Sequence, residues 1–293
     1  MASLPRDEID RLTPGRDFSR RGFIATAVGS GFAAAVLPVG AQTIKTTSDG
    51  LTTGEVMIPV GDFKMPAYRA LPAGKSGLPV VLVVSEIFGV HEHIADVARR
   101  FAHLGYLAIA PELFVRQGDA QSYGEIAKLV SEVIAKVPDA QVIADLDACV
   151  AWAGANGGDT ARLGITGFCW GGRIVWLYAA HSAKLKAGVA WYGRLVGTPN
   201  ALQPKNPIDL VAALHAPVLG LYGGADAGIP LDSVDKMKAA LATGSPAARE
   251  SKFVVFPDVP HAFHADYRPS FRKDAAEDGW KRCLAWFKAH GVS

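Results

Sequence analysis

The sequence predicts an α/β chain with a mostly parallel central sheet and helices on both faces. Three observations carry this. Apolar runs of strand length alternate with longer segments of helical periodicity over most of the chain. One run, Leu78–Val84, is continuously apolar, as a strand buried on both faces must be. The 18 prolines and 31 glycines among 293 residues supply the tight turns that such alternation needs.

The composition sets limits. A hydrophobic content of 49% suits a globular chain with a sizeable core, read as one domain over residues 51–293. With 30 basic against 28 acidic residues the formal charge is +2, which gives no footing for nucleic acid. The Cys count of 3 is too low for a disulfide framework and leaves at least one free thiol.

Residues 1–41 read as an address. Ser19-Arg20-Arg21-Gly22-Phe23-Ile24 precedes an apolar, small-residue run, Phe23–Val39, which closes on Val39-Gly40-Ala41. Paired arginines before a short apolar stretch and a small-residue cleavage site describe a twin-arginine export signal. A membrane anchor is the competing reading, but the run is short, rich in Gly and Ala, and broken by Pro38. The expectation is cleavage after Ala41, recognition by the twin-arginine export machinery, and a periplasmic protein without a membrane anchor. Residues 42–50 read as a linker.

The elements follow in order. Gly54–Pro59 and Lys64–Ala70 are strands turned at Gly61-Asp62. Leu78–Val84 is the first central strand and runs into the loop Ser85-Glu86-Ile87-Phe88-Gly89. A helix over His93–Leu104 places Ile94, Val97, Ala98 and Phe101 on one face and stops at Gly105, before the strand Tyr106–Ala110. Residues 112–124 are irregular. Helices over Glu125–Val137 and Asp139–Ala155 come next, the second ended by Asn156-Gly157-Gly158. A strand from Arg162 leads through Gly167-Phe168-Cys169-Trp170-Gly171-Gly172 into the helix Arg173–Ala180. Ala187–Tyr192 is a strand, 193–215 a long proline-bearing loop, and Pro217–Tyr222 a strand ending in Gly223-Gly224-Ala225-Asp226. Helix Leu231–Leu241, strand Lys252–Phe256, loop Pro257–Arg268 and helix Phe271–His290 close the chain.

The strand–turn–helix around Cys169 is the context of a nucleophile elbow, with cysteine at the exposed position. Glycines at 167 and 171 fit a turn too tight for side chains. A buried structural cysteine is the bland reading. Two partners argue against it, because Asp226 and His261 also follow strands, where open parallel sheets place their sites. Each has its own bland reading, a turn aspartate or an exposed loop histidine. The order nucleophile, acid, histidine makes the joint reading the better one. In that reading Cys169 attacks a carbonyl, His261 moves the proton and Asp226 orients the imidazole. The backbone N–H groups of Trp170 and Ile87 are the expected oxyanion hole.

With Ser85-Glu86-Ile87-Phe88-Gly89, the Cys169 elbow, Gly223-Gly224-Ala225-Asp226 and Pro260-His261-Ala262-Phe263 in one chain, the sequence resembles the dienelactone hydrolases (carboxymethylenebutenolidases) from about Leu51 to His290. The resemblance implies an α/β-hydrolase fold and a small-molecule lactone or ester as substrate. It implies a role for Glu86 in activating the thiol, and carboxylate recognition by arginine. Arg116 matches the first such arginine in context. The second would fall at Ala265, leaving Arg268 as the displaced candidate. His91, His93 and His264 make a weak metal pattern and read better as pocket-rim histidines. Trp170 is expected to face the pocket, while Trp191 and Tyr192 read as core, as do Cys149 and Cys283. No cofactor or metal is expected, since no phosphate-cradling Gly-rich motif follows the first parallel strand. The expected activity is opening of a dienelactone-type enol lactone. A broader carboxylesterase or thioesterase is the alternative, and a non-catalytic binding protein on the same fold is a third.

Overall fold

The computed structural model describes residues 43–293. The segment expected to be an export signal lies outside the described residues. Within them the strands are β1 (Leu51–Val60), β2 (Phe63–Pro72), β3 (Leu78–Val84), β4 (Leu107–Pro111), β5 (Gly158–Phe168), β6 (Leu185–Trp191), β7 (Val218–Gly223) and β8 (Lys252–Phe256). The helices are α1 (Glu92–His103), α2 (Ile126–Glu132), α3 (Asp139–Ala155), α4 (Trp170–His181), α5 (Leu231–Ala242), α6 (Pro246–Glu250) and α7 (Lys273–Ala289).

The strands form one 8-stranded sheet in the order β1-β2-β4-β3-β5-β6-β7-β8. β1 and β2 are an antiparallel hairpin in which Val60 pairs with Phe63 across Gly61-Asp62. β2 also runs antiparallel to β4, and from β4 to β8 every pair is parallel. The continuous apolar run of β3 lies in the middle, with Val80 to Val84 fully buried. This is what a strand covered on both faces requires. On one face Phe101 of α1 packs against Trp280 and Phe287 of α7. On the other, Tyr178 of α4 donates to Asp147 of α3 at 3.0 Å.

Three segments depart from expectation. The helix read over Glu125–Val137 is broken at Val133, which is fully buried against Gly118, and a 3-10 turn completes it. The loop 193–215 contains a 3-10 helix, Pro207–Ala213, begun by a reciprocal capping box between Asn206 and Asp209. The linker reading of residues 42–50 also needs amending. The Ile44 N–H donates to Asp266 at 3.1 Å, and Arg99 Nε donates to the Thr46 carbonyl at 2.9 Å, so this stretch is strapped to α1.

Candidate active site

Cys169 stands between β5 and α4 with φ 54 and ψ −112, a conformation that costs energy in a residue other than glycine. The surrounding chain holds it there. A Cβ at Gly167 would lie 2.3 Å from the Gly171 carbonyl oxygen, and one at Gly171 would lie 2.4 Å from that of Val84. Only glycine lets the elbow close this tightly. The Cys169 N–H donates to the Trp191 carbonyl at 3.0 Å, and Cys169 serves as the N-cap residue of α4. The half-buried sulfur therefore sits at the positive end of a helix, at the carboxyl edge of the sheet.

Asp226 and His261 reach the same edge from neighbouring strands. The loop after β7 is bound to the loop after β8 by Gly224 N–H to the Phe256 carbonyl at 2.7 Å and Ala225 N–H to the Val259 carbonyl at 3.0 Å. Asp226 Oδ1 accepts from the N–H groups of Gly228 and Ile229, which fixes the carboxylate. Its Oδ2 lies 2.6 Å from His261 Nδ1. Burial disfavours an imidazolium at His261. The Cys169 sulfur and the Asp226 carboxylate nevertheless push its pKa up to about 10. Asp226 and His261 are thus bound to one another, and the charge at Cys169 acts on the same imidazole.

The loop after β3 supplies the rest. Glu86 is 1% exposed, and its Oε2 lies 3.1 Å from His91 Nε2. Burial would raise its pKa, but the hydrogen bond and charge of His91, with His93 behind it, hold it at about 2. Among the described residues the N–H groups of Ile87 and Trp170 have no acceptor, so both are free to donate. Trp170 packs edge-on against Phe114 with ring centres 4.7 Å apart.

The two arginines part company. Arg116 is not open to an external carboxylate. Both ends of its guanidinium fork donate to Asp145 at 2.7 Å, and it lies over the Phe63 ring at 4.2 Å. Asp145 is fully buried, so this pair satisfies a carboxylate the core encloses, and the expected substrate contact is replaced by a structural one. Arg268, in contrast, lies over Phe88 at 5.9 Å and has no carboxylate within ion-pair distance among the described residues. Its charge acts on the hydroxyls of Tyr192 and Tyr267, together with those of Glu86 and Cys169. Ala265 is fully buried.

Two further expectations change. His91, His93 and His264 do not stand at a pocket rim. All are buried in one cluster, with His93 stacked on His91 at 6.1 Å and edge-on to His264 at 5.4 Å. Tyr192, read as core, is buried but belongs to the site. It has φ 39, its ring lies edge-on to His261 at 5.0 Å, and its hydroxyl has no partner among the described residues. Burial and the Glu86 charge push this phenol well above its ordinary pKa. Its place directly after β6 was the available signal, but aromatic strand ends more often serve the core. Tyr267 could be found only from the fold.

A family model described as "Dienelactone hydrolase family" matches residues 65–291. A protein of Methylorubrum extorquens, provisionally named a carboxymethylenebutenolidase, is 61% identical over 288 residues, covering 98% of each chain. A protein of the same provisional name from Escherichia coli K12 is 54% identical over 269 residues, covering 92% of this chain and 98% of its own. The crystal structure of a protein from Klebsiella pneumoniae, provisionally titled a dienelactone hydrolase, superposes with a TM-score of 0.79 at 56% identity. That match covers 81% of this chain and 98% of the other. With the family model spanning most of the chain and these relatives nearly all of it, the protein belongs to the dienelactone hydrolase family, hydrolases of ester and lactone bonds on an α/β-hydrolase fold.

Proposed function

We propose that the protein opens a small enol lactone of the dienelactone type to a maleylacetate-type product, with Cys169 as nucleophile. The observation that carries this is the 2.6 Å contact between Asp226 and His261, coupled to a strained cysteine at the sheet edge. In this reading the proton of Cys169 passes to His261, and the sulfur attacks the lactone carbonyl. The free N–H groups of Ile87 and Trp170 receive the oxyanion. The tetrahedral intermediate collapses with cleavage of the ring C–O bond, and the enol oxygen leaves with the proton held by His261, which returns the imidazole to its neutral form. Water, deprotonated by His261, then hydrolyses the thioester. Asp226 keeps Nδ1 protonated and stabilises the imidazolium at each stage. Arg268 takes the substrate carboxylate, since its guanidinium is unpaired among the described residues while that of Arg116 is spent on Asp145.

The commitment of Arg116 favours a second reading, a broader carboxylesterase or thioesterase with weaker demand for an acidic substrate. Comparing kcat/KM for a dienelactone and an uncharged aryl ester separates the two, with Cys169→Ala as blank. A strong lactone preference supports the first reading and similar values the second. Full activity in Cys169→Ala would remove the cysteine mechanism altogether.

We further propose periplasmic export by the twin-arginine route, on the strength of Arg20-Arg21 and the short apolar run behind them. Replacing both arginines by lysine is expected to leave the protein in the cytoplasmic fraction. Unchanged periplasmic recovery would refute the route.

A further inference from the structure

Arg194 belongs neither to the triad nor to any pair described above. It stands in the loop after β6, and the backbone on both sides of it is fixed. Tyr222 donates its hydroxyl to the Gly193 carbonyl at 2.8 Å, and the Ile208 N–H donates to the Leu195 carbonyl at 3.3 Å. Gly193 lies against the first turn of α4, where a Cβ would come 2.5 Å from the Arg173 nitrogen. That turn starts at Cys169, its N-cap residue.

The Arg194 residue is exposed, and its guanidinium rests over Gly197, where a Cβ would lie 3.4 Å from Cζ and Nε. No hydrogen bond or ion pair engages this guanidinium among the described residues. The carboxylate whose charge reaches it, Asp139, is taken by both ends of the Arg173 fork at 2.7 and 2.8 Å. Partial burial and the Arg173 charge lower the Arg194 pKa, while Asp139 and the Cys169 sulfur oppose that fall. A guanidinium stays charged under these influences, so Arg194 is a cation in electrostatic reach of the nucleophile and open to an external anion.

The sheet order gives Arg194 and Arg268 different sides. β5, which ends at the elbow, lies between β3 and β6. Arg268 lies over Phe88 in the loop after β3, whereas Arg194 extends from the loop after β6. A carbonyl held at the sulfur thus has one unpaired guanidinium toward each neighbouring strand.

We propose that Arg194 is a second anion-binding residue, and that the substrate carries two carboxylates, one on each side of the scissile carbonyl. This deepens the lactone reading and rests on Cys169 as nucleophile and Arg268 as the first carboxylate partner. In a dienelactone the carboxylate is joined, through the exocyclic double bond, to the ring carbon that bears the enol oxygen. Arg268 therefore serves the leaving side, and Arg194 serves the acyl side.

The test is a matched set of nitrophenyl esters turned over by the full-length protein. One ester is neutral, one has a carboxylate at the acyl end, one has a carboxylate on the nitrophenyl ring, and one has both. In wild type each carboxylate should raise kcat/KM, and the dianion should be the best substrate. Arg194→Ala should cut the gain from the acyl-end carboxylate by about tenfold or more, the range of one hydrogen bond to a charged group. Arg268→Ala should cut the gain from the ring carboxylate instead. Arg194→Lys should recover part of the loss, because the charge returns without the planar fork. No gain from an acyl-end carboxylate in wild type overturns the inference without recourse to any variant. So does a gain that survives in Arg194→Ala, or the loss of one and the same gain in both alanine variants. Failure of the cysteine reading is read separately, as undiminished hydrolysis in Cys169→Ala, and would take this inference with it.

Discussion

Asp226 and His261 are 35 positions apart in the chain yet meet at 2.6 Å, and the oxygen of Asp226 not used in that contact ties its own loop to Gly228 and Ile229. The aspartate is therefore both a turn residue and the partner of the histidine. These two roles had been competing readings of the sequence, and the carboxylate fulfils both because its oxygens point to different donors.

Asp226→Asn should keep the turn and lose the charge. The expected result is a fall in kcat of about 10³–10⁴-fold with little change in the fold, by analogy with the loss of the aspartate in serine triads. Against the effect of burial, the Cys169 sulfur and the Asp226 carboxylate push the pKa of His261 from its ordinary 6.5 up to about 10. Its contribution to stability is thus complete below pH 6.5 and is lost as pH rises from there to about 10. The alkaline limb of the rate profile should move to lower pH in Asp226→Asn. A limb that stays in place would show that Asp226 does not support the imidazolium.

Arg116→Ala should destabilise the protein without changing its substrate preference. The substitution strands the fully buried Asp145 carboxylate, at a cost of about 3 kcal/mol. Burial already raises the pKa of Asp145, and Arg116 opposes that rise. Urea unfolding gives the first quantity, and kcat/KM for acidic against neutral substrates the second. A selective loss on acidic substrates with unchanged stability would return Arg116 to the binding site.

Arg268→Ala is expected to do the reverse, lowering kcat/KM for a carboxylate-bearing lactone by about 10–100-fold while sparing a neutral ester, the range of one hydrogen bond to a charged group. Arg268→Lys should recover only part of this, because an ammonium lacks the planar fork. Equal losses on both substrates would make Arg268 a packing residue against Phe88.

Most of the sheet was legible because its strands are signalled locally. β3 begins and ends where its apolar run does, β8 spans the expected Lys252–Phe256, and Gly61-Asp62 fixes the β1–β2 register. The elbow was legible because a Cβ at Gly167 or Gly171 cannot be accommodated, and that need leaves a mark in the sequence. The pairing of Arg116 left no such mark. It depends on Asp145 standing on the correct face of α3, 29 positions away, and the context of Arg116 alone shows the same residue whether it meets a substrate or a core carboxylate. The same holds for the histidines. His91 and His93 read as pocket-rim histidines until the fold brings Asp266 and Tyr267 over them.

His264 offers a prediction on stability alone. It is buried between Phe168, whose ring stacks at 5.0 Å, and Trp191 at 4.6 Å, and its Nδ1 has no partner among the described residues. Burial, with the charges of His93 and Arg100, holds its pKa well below the ordinary value. The unfolded chain therefore binds a proton at this position that the folded protein refuses. Stability from this group is complete above about pH 6.5 and falls as pH drops below it. His264→Phe keeps a ring in the aromatic cage and removes the titration. Relative to wild type, the variant should lose about 1–2 kcal/mol less stability between pH 7 and pH 5, from the linkage of about 1.4 kcal/mol per pH unit. Glu86 does not confuse the measurement. With its pKa lowered from 4.5 to about 2, its own contribution is lost only as pH falls through that lower window. Urea midpoints of both proteins at pH 7 and pH 5 decide the matter, and parallel losses would mean that His264 does not titrate on unfolding as described.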